Sequence, residues 1–165
     1  MRTFARPNVV ISQCMGFAAC RYNGVTIPDA FVQQLEPYVT YLPVCPEVEI
    51  GLGVPRDPVR VVLVGDTPRL IQPSTGADVT EKMWAFANAH LASLNDTDGD
   101  RRIDGFILKG RSPSCGIKDV KVYHCPGDNR KNLGTSLGTT AQYCIYRSYS
   151  LPDYMRATQA KDPKK

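Results

Sequence analysis

The chain has 165 residues, of which 42% are hydrophobic and 22% charged. This length and balance suit one globular domain and exclude a disordered chain. The sequence has no apolar stretch long enough to cross a bilayer and no signal-peptide core after its basic start, so we expect a cytoplasmic protein with no membrane partner. The formal net charge of +4 is compatible with RNA or an anionic substrate and requires neither.

Strand-like and helical segments alternate along the chain. A buried strand is predicted over residues 9–12, where β-branched residues follow one another. A helix is predicted over residues 28–38, because Pro28 suits a first helical turn and apolar residues follow at helical spacing. Further strands or extended segments are predicted over residues 39–44, 59–64, 69–72, 103–108 and 120–123.

The clearest helix is predicted over residues 79–94. Asp78 and Glu81 have the spacing of a capping box, and apolar side chains recur every three or four residues on one face. A short helix is also predicted over residues 152–160. Since strands alternate with helices and the sequence has no repeat or second domain, it predicts a single α/β domain over residues 1–165 with a largely parallel sheet.

The six cysteines carry the strongest chemical signal. In a cytoplasmic chain of normal apolar content, dispersed cysteines indicate metal, cluster or redox chemistry more often than a disulfide framework. The sequence has no close Cys-x-x-Cys pair, which argues against a zinc ribbon or a thioredoxin-type motif. The cysteines are Cys14, Cys20, Cys45, Cys115, Cys125 and Cys144.

Three of these cysteines follow predicted strands. Cys14 comes just after the first strand, Cys45 directly after the second, and Cys115 in the loop after the strand at residues 103–108. Parallel strands end at one edge of a sheet, where α/β proteins bind ligands, so we expect the three thiols to converge there. Three converging thiolates suit an iron–sulfur cluster that lacks one protein ligand, which leaves one iron open to substrate.

The surroundings of the cysteines bear on this hypothesis. A single cysteine is more often a small core residue than a ligand. Cys45, however, lies in a segment made rigid by three prolines and two glycines between Pro43 and Arg56, and rigid loops on a scaffold often carry chemistry. Cys115 lies among two hydroxyls and two cations in the segment 109–116, and nearby positive charge lowers the pKa of a thiol toward the metal-binding thiolate.

Three motifs in fixed order make the chain resemble a known family. They are Cys14-x-Gly with Arg21-Tyr22-Asn23-Gly24, Val44-Cys45-Pro46-Glu47 with Gly51-Leu52-Gly53-x-Pro55-Arg56, and Lys109-x-x-Ser112-Pro113-Ser114-Cys115-Gly116. Between residues 9 and 123 the chain resembles the thiouracil desulfidase family. The resemblance implies a Rossmann-like α/β domain whose strands carry a 4Fe–4S cluster at their C-terminal edge. The cluster is held by three protein ligands, here Cys14, Cys45 and Cys115, and keeps one open iron.

The same resemblance implies roles for other residues. The acid/base glutamate of the family matches Glu47, and the catalytic serine matches Ser112. The implied reaction is hydrolytic and non-redox: water activated by Glu47, with Ser112 relaying or positioning it, replaces the sulfur of a thiolated pyrimidine by oxygen and releases hydrogen sulfide. Arg21, Tyr22 and Ser114 are candidate substrate contacts.

Other features fall outside these motifs. Cys20 is interpreted as a core residue or a neighbour of the site, and Cys125 and Cys144 are assigned to packing or exposure. Residues 124–165 diverge from the pattern expected of relatives, and we expect them to reshape the pocket or to make a subunit contact. The acidic run at residues 96–100 starts like a calcium-binding loop but lacks the required glycine and final glutamate, so it is predicted to be a solvated loop. His90 and His124 are interpreted as structural histidines.

Alternatives remain at this point. The same three cysteines would serve a sulfur-carrier or sulfur-inserting protein, or a cluster-sensing protein without enzymatic activity. Longer relatives of the family act on thiolated uridine in transfer RNA, so the substrate could be a free thiobase, a nucleoside or thiouridine in tRNA. RNA binding through phosphates would weaken steeply with salt, whereas binding of a neutral base would not.

Overall fold

The computed structural model describes residues 5–95, 102–117, 120–124 and 136–140. The predictions for Cys125, Cys144, the loop at 96–100 and the helix at 152–160 lie outside these residues. The elements of the described residues are β1 (Asn8–Ser12), α1 (Ala30–Leu35), a 3-10 turn (Glu36–Tyr38), β2 (Thr40–Val44), α2 (Pro46–Glu49), β3 (Arg60–Val64), β4 (Thr67–Gln72), β5 (Ala77–Asp78), α3 (Thr80–Asn95), β6 (Ile103–Ile107), β7 (Val120–His124) and β8 (Ser136–Thr140).

A parallel sheet of order β2-β1-β6 carries the strands that precede the three motif cysteines. Val10 of the central strand pairs with Leu42 of β2 and with Phe106 of β6, both in parallel register. Val10 and Ile11 are fully buried, as expected for a central parallel strand covered on both faces. The prediction that these three strands run parallel in one sheet is confirmed.

The second sheet is mostly antiparallel, with the order β5-β4-β3-β7-β8. Within it β3 and β7 pair in parallel, while β3–β4, β4–β5 and β7–β8 are antiparallel. The prediction of one largely parallel sheet is therefore right for the first sheet and wrong for the second. The reason is the two-residue connection Gly65-Asp66 between β3 and β4, because so short a turn can join only antiparallel strands.

One hydrophobic core joins α3 to both sheets. Met83 and Ala87 of α3 pack in the same buried cluster as Val10 of the parallel sheet and Leu70 of the mixed sheet. Burying each large aliphatic side chain contributes about 1.5–3 kcal/mol. The buried hydroxyl of Thr80 accepts a hydrogen bond from the Leu70 amide at 2.7 Å, so the start of α3 is tied to β4.

The helix predictions differ from the structure at three places. Helix α3 begins at Thr80, whose amide donates to the Asp78 side chain at 3.0 Å, so Asp78 lies one residue before the cap position, and Glu81 pairs with Arg69 instead of completing a capping box. The helix predicted over residues 28–38 is the short α1, which begins after its cap Asp29, followed by the 3-10 turn. Helix α2 was not predicted, since four residues are too few to show a helical period. In the described part of the chain no helix is long and apolar enough to span a membrane.

Candidate active site

A cavity of about 330 Å³ lies where the three parallel strands end. Its wall is built from the segments that follow β1, β2 and β6, so the sheet brings together residues distant in sequence. The chemistry-bearing residues of the wall are Cys14, Cys20, Arg21, Tyr22, Cys45, Glu47, Arg56, Lys109, Arg111, Ser112 and Cys115. The convergence of thiols predicted from the strand pattern is therefore seen in the cavity wall.

Each thiol is carried by a different local structure. Cys14 follows β1 in a turn, and its carbonyl accepts from the Ile27 amide at 2.7 Å. Cys45 is the residue from which α2 starts, with Pro46 in the first turn. Cys115 is buried, and its amide donates to the Ser112 hydroxyl at 3.2 Å. The four described cysteines are free thiols.

Cys20 is a fourth thiol in this wall. It is buried and lines the cavity, and its carbonyl accepts a weak hydrogen bond from the Cys45 thiol at 3.7 Å. The sequence prediction of a neighbour of the site agrees with this placement. The motif pattern assigned Cys20 no ligand role, and its place beside Cys45 follows from the fold of the loop after β1.

Burial in the cavity favours the protonated form of the Cys14 and Cys115 thiols. Burial raises the pKa of the Cys14 thiol, nearby Cys45 raises it further, and the cations of Arg21 and Lys109 oppose both effects. Burial raises the pKa of Cys115 to about 12, opposed mainly by hydrogen-bond contacts with the Ser12 and Ser114 side chains. Metal binding at these thiols must therefore release protons, as metal–thiolate bonds require.

The donor set fits an iron–sulfur group, because thiolates are the soft ligands that such groups take. In the ranges that the structure describes, no three His, Cys, Asp or Glu side chains are grouped closely enough to bind one metal ion. The cysteines instead come from separate loops around one cavity. In a cluster each cysteine binds a different iron, so its ligands do not meet at one point, and soft thiolates are the ligands such clusters take.

Glu47 is held in a buried ion pair. Its Oε2 accepts from Nε of Arg56 at 3.0 Å and from the terminal Nη2 at 2.8 Å. The side chains of Arg56 and Glu47 are only 4% and 11% exposed. The remaining terminal nitrogen of Arg56 donates to the carbonyls of Cys20 and Gly53, both at 2.9 Å. Arg56 thus fixes the carboxylate and ties α2 to the loop after β1.

Arg56 belongs to one of the sequence motifs, but the motif assigns it no role. The available signal was a Pro-Arg pair that closes the rigid segment nine residues after Glu47. That spacing does not reveal a buried ion pair, because the turn between the two residues has no regular period.

Two serines connect to the other oxygen of Glu47. Ser114 Oγ lies 3.1 Å from Glu47 Oε1, and Ser112 Oγ lies 3.2 Å from Ser114 Oγ. Ser112 lines the cavity, whereas Ser114 is 1% exposed and is not among the lining residues. The predicted pair Glu47 and Ser112 is therefore brought together through Ser114, which was predicted only as a substrate contact.

The remaining wall is cationic and aromatic. Arg21 lies over the Tyr22 ring at 5.5 Å from its centroid. A second cavity of about 250 Å³ shares Tyr22 and Arg111 with the first. Its wall also includes Arg60, whose guanidinium lies 4.9 Å from the centroid of the Tyr123 ring. The two cavities therefore adjoin along a basic and aromatic surface.

Comparisons with known proteins show the family to which the chain is similar. The family model described as 2-thiouracil desulfurase matches residues 9–154. This match continues beyond the third cysteine motif, which ends at Gly116. The uncharacterized protein YbbK of Bacillus subtilis (strain 168) is 30% identical over 114 residues, covering 66% of this chain and 72% of YbbK. The solved structure of the 4Fe–4S-dependent thiouracil desulfidase TudS is 26% identical, with a TM-score of 0.59 over 84% of this chain and 82% of TudS. The family resemblance carried by the cysteine motifs is confirmed.

Proposed function

This chain belongs to the 2-thiouracil desulfurase family, and on that premise we propose that it replaces the sulfur of a thiolated pyrimidine by oxygen. The single observation that carries the proposal is one cavity lined by three motif cysteines, a buried glutamate and a serine. The net reaction is hydrolysis: water adds its oxygen to the thiocarbonyl carbon, the carbon–sulfur bond breaks, and hydrogen sulfide leaves with both protons of the water. No electrons are transferred in this balance.

Cys14, Cys45 and Cys115 would hold the 4Fe–4S cluster, leaving one iron without a protein ligand. When bound, such a cluster supplies a Lewis-acidic position that suits a soft thiocarbonyl sulfur. The similarity to the 4Fe–4S-dependent desulfidase TudS over 84% of the chain supports this cofactor. The fit rests on the donor set of the cavity wall, where these three thiols come from three separate loops.

Glu47 is the proton acceptor of the proposal, and Ser112 positions the attacking water. Both residues line the cavity, which is the requirement for contact with a substrate or its water. Arg56 occupies Oε2 of Glu47 with two N–H groups. The carboxylate is therefore held in one orientation, with Oε1 as the oxygen that faces the serines.

The cavity has a volume of about 330 Å³, part of which the cluster would occupy, so the remaining space suits one small ring rather than a large ligand. Arg21 and Tyr22 are its proposed substrate contacts. The adjoining basic cavity, which includes Arg60 and Lys121, gives room for a substituent on the ring. A nucleoside or a thiouridine in tRNA therefore stays beside the free base among the proposed substrates, and salt dependence separates an RNA from a neutral base.

The contacts of Glu47 favour hydrolysis over sulfur carriage. A protein that only holds and delivers sulfide, or that senses a cluster, has no need of a proton acceptor. Here the carboxylate is buried at 8% exposure and carries hydrogen bonds from an arginine and a serine. Arg56 and Ser114 compensate the burial of this charge, and Glu47 still lines the cavity, where a carboxylate can accept a proton from a bound water.

The test is an anaerobic reconstitution with iron and sulfide, followed by assays of thiouracil and thiouridine loss and of sulfide release. We expect turnover by the wild type and by Cys20→Ser, and we expect loss of bound iron from Cys14→Ser, Cys45→Ser and Cys115→Ser. Glu47→Gln should keep its iron and lose turnover. A stable cluster without turnover on either substrate overturns the proposed activity, and equal iron loss from Cys20→Ser overturns the three-ligand assignment.

A further inference from the structure

We infer that Ser114 is the middle member of a hydroxyl relay that carries a proton between Ser112 in the cavity wall and the carboxylate of Glu47. The inference rests on the proposed function, because it gives a route to the proton that hydrolysis takes from water. It changes Ser114 from a substrate contact into a residue that acts through its two neighbours.

The polarity of the hydrogen bonds supports this relay. A carboxylate only accepts, so the single hydroxyl hydrogen of Ser114 points to Glu47 Oε1, 3.1 Å away. Ser114 therefore has no hydrogen left for Ser112, and Ser112 must donate across the 3.2 Å contact between the two hydroxyl oxygens. Both hydroxyl hydrogens then point from the cavity toward the carboxylate.

The backbone fixes the outer end of the relay. The Cys115 amide donates to the Ser112 hydroxyl oxygen at 3.2 Å. The Ser112 side chain also contacts the Cys115 thiol, and the relay assigns the Ser112 hydrogen to Ser114 because the Ser114 oxygen is the stronger acceptor. Since a hydroxyl oxygen has two lone pairs, the second lone pair of Ser112 can take a hydrogen from a water in the cavity that it lines. The water, the two serines and the carboxylate then form one chain of donors and acceptors.

The inner end of the relay has one competing contact. Ser114 Oγ also lies 3.8 Å from the Cys115 sulfur, which is a weak contact. Its distance to Glu47 Oε1 is 3.1 Å, which is that of an ordinary hydrogen bond. Arg56 already occupies Glu47 Oε2. Glu47 Oε1 is therefore the oxygen that receives the proton.

The transfer balances in atoms and charge. One O–H bond of the water breaks as a bond to Ser112 forms, the Ser112 hydrogen passes to Ser114, and the Ser114 hydrogen passes to Glu47 Oε1. The result is one hydroxide equivalent at the substrate and one proton on Glu47. The same chain run in reverse returns that proton to the departing sulfide, so Glu47 is restored in each cycle.

Glu47 also lines the cavity, so direct transfer from water to its carboxylate is the competing route. The two routes differ in the number of protons that move together. Direct transfer moves one proton, whereas the relay moves three in the same step, and a rate measured in mixtures of light and heavy water reports that number.

The experiment compares wild type, Ser114→Ala, Ser114→Thr and the control Ser93→Ala, each loaded with its cluster. Ser93 is an exposed serine that donates to the His90 carbonyl, so its variant removes a hydroxyl away from the cavity. We expect a curved dependence of rate on deuterium fraction for the wild type, Ser114→Thr and Ser93→Ala. Ser114→Ala should show a linear dependence and a kcat about a hundredfold lower, with little change in KM.

A second readout does not depend on turnover. In the cluster-free protein, the infrared carboxylate stretch that is lost in Glu47→Gln should shift in Ser114→Ala and return toward its wild-type position in Ser114→Thr. An unshifted band contradicts the hydrogen bond on which the relay depends.

The outcomes separate the two proposals. A loaded wild type without turnover overturns the desulfidase function and the relay with it. A wild type that turns over while Ser114→Ala keeps its kcat and its curvature overturns the relay alone and establishes direct transfer. If Ser114→Ala does not fold, the wild type and Ser114→Thr decide between the routes. A linear dependence of the wild-type rate on deuterium fraction overturns the relay. A curved dependence in both proteins supports it.

Discussion

Replacing Arg56 with methionine should destabilise the protein more than any exposed ion-pair change. The substitution keeps a side chain of similar length and removes every guanidinium donor. Glu47 then loses two hydrogen bonds of 2.8 and 3.0 Å, and the carbonyls of Cys20 and Gly53 each lose one of 2.9 Å. The carboxylate stays buried, with Ser114 as its remaining described donor.

The magnitude follows from what the substitution leaves behind. Removing one partner of a buried ion pair costs about 3–5 kcal/mol, because the other charge remains desolvated. The Arg56 side chain is 4% exposed and that of Glu47 is 11% exposed, so solvent screening reduces this figure little. Removing both charges together should recover most of the loss, since the uncompensated carboxylate is then gone as well.

The assay is urea unfolding of the cluster-free protein under anaerobic, reducing conditions, analysed by linear extrapolation. The variants are Arg56→Met, Glu47→Met and the double change, with Arg69→Met as the matched control. Arg69 also donates from Nε to a carboxylate, that of Asp78, at 2.7 Å, but its side chain is 30% exposed. The control should cost about 0.2–1 kcal/mol, as exposed pairs do.

Equal losses in Arg56→Met and Arg69→Met would refute the reasoning, because burial would then make no difference to the ion pair. A double variant that loses the sum of the two single losses would also refute it. Additivity of this kind means that the two side chains do not interact.

Two further predictions concern the buried hydroxyl of Thr80 and the titration of His90. Thr80→Ala should lower the free energy of unfolding by about 1–3 kcal/mol, because it leaves the Leu70 amide without the buried acceptor it has at 2.7 Å, and Thr80→Ser should keep most of that stability in the same urea assay. Burial lowers the pKa of His90, with Glu49 acting in the opposite direction. The stability that the neutral imidazole contributes is therefore present when the pH is above the ordinary pKa of histidine, and it is lost as the pH falls below that pKa. Between about pH 7.5 and about pH 5.5, the free energy of unfolding should fall less for His90→Gln than for the wild type. An equal fall in both proteins would show that His90 is not the cause.

Local sequence patterns predicted most of the regular elements. β-branched runs marked β1, β2, β3 and β7, because side chains of this type pack well on a pleated surface over a few residues. The apolar period of residues 79–94 marked α3, which the structure places at Thr80–Asn95. The position of Cys14 and Cys45 directly behind two of these strands was enough to predict that their thiols meet at one sheet edge.

The second sheet was not predicted correctly, for a physical reason. The two-residue connection Gly65-Asp66 makes β3 and β4 antiparallel, whereas the residue pattern shows only that both segments are extended. That β3 lies beside β7, more than fifty positions away, is decided by packing over a distance at which no local preference acts. Helix α2 was not predicted for a different reason, since its four residues are too few to show an apolar period.

The sequence by itself determined which chemistry the cavity could carry, since the identities and order of Cys14, Cys45, Glu47, Ser112 and Cys115 are written in three motifs. Only the tertiary structure decided how these groups connect. The hydrogen bond from Ser114 to Glu47 spans 67 positions of the chain. Its existence depends on the loop after β6 packing against α2, because a hydrogen bond forms only where the fold holds donor and acceptor about 3 Å apart.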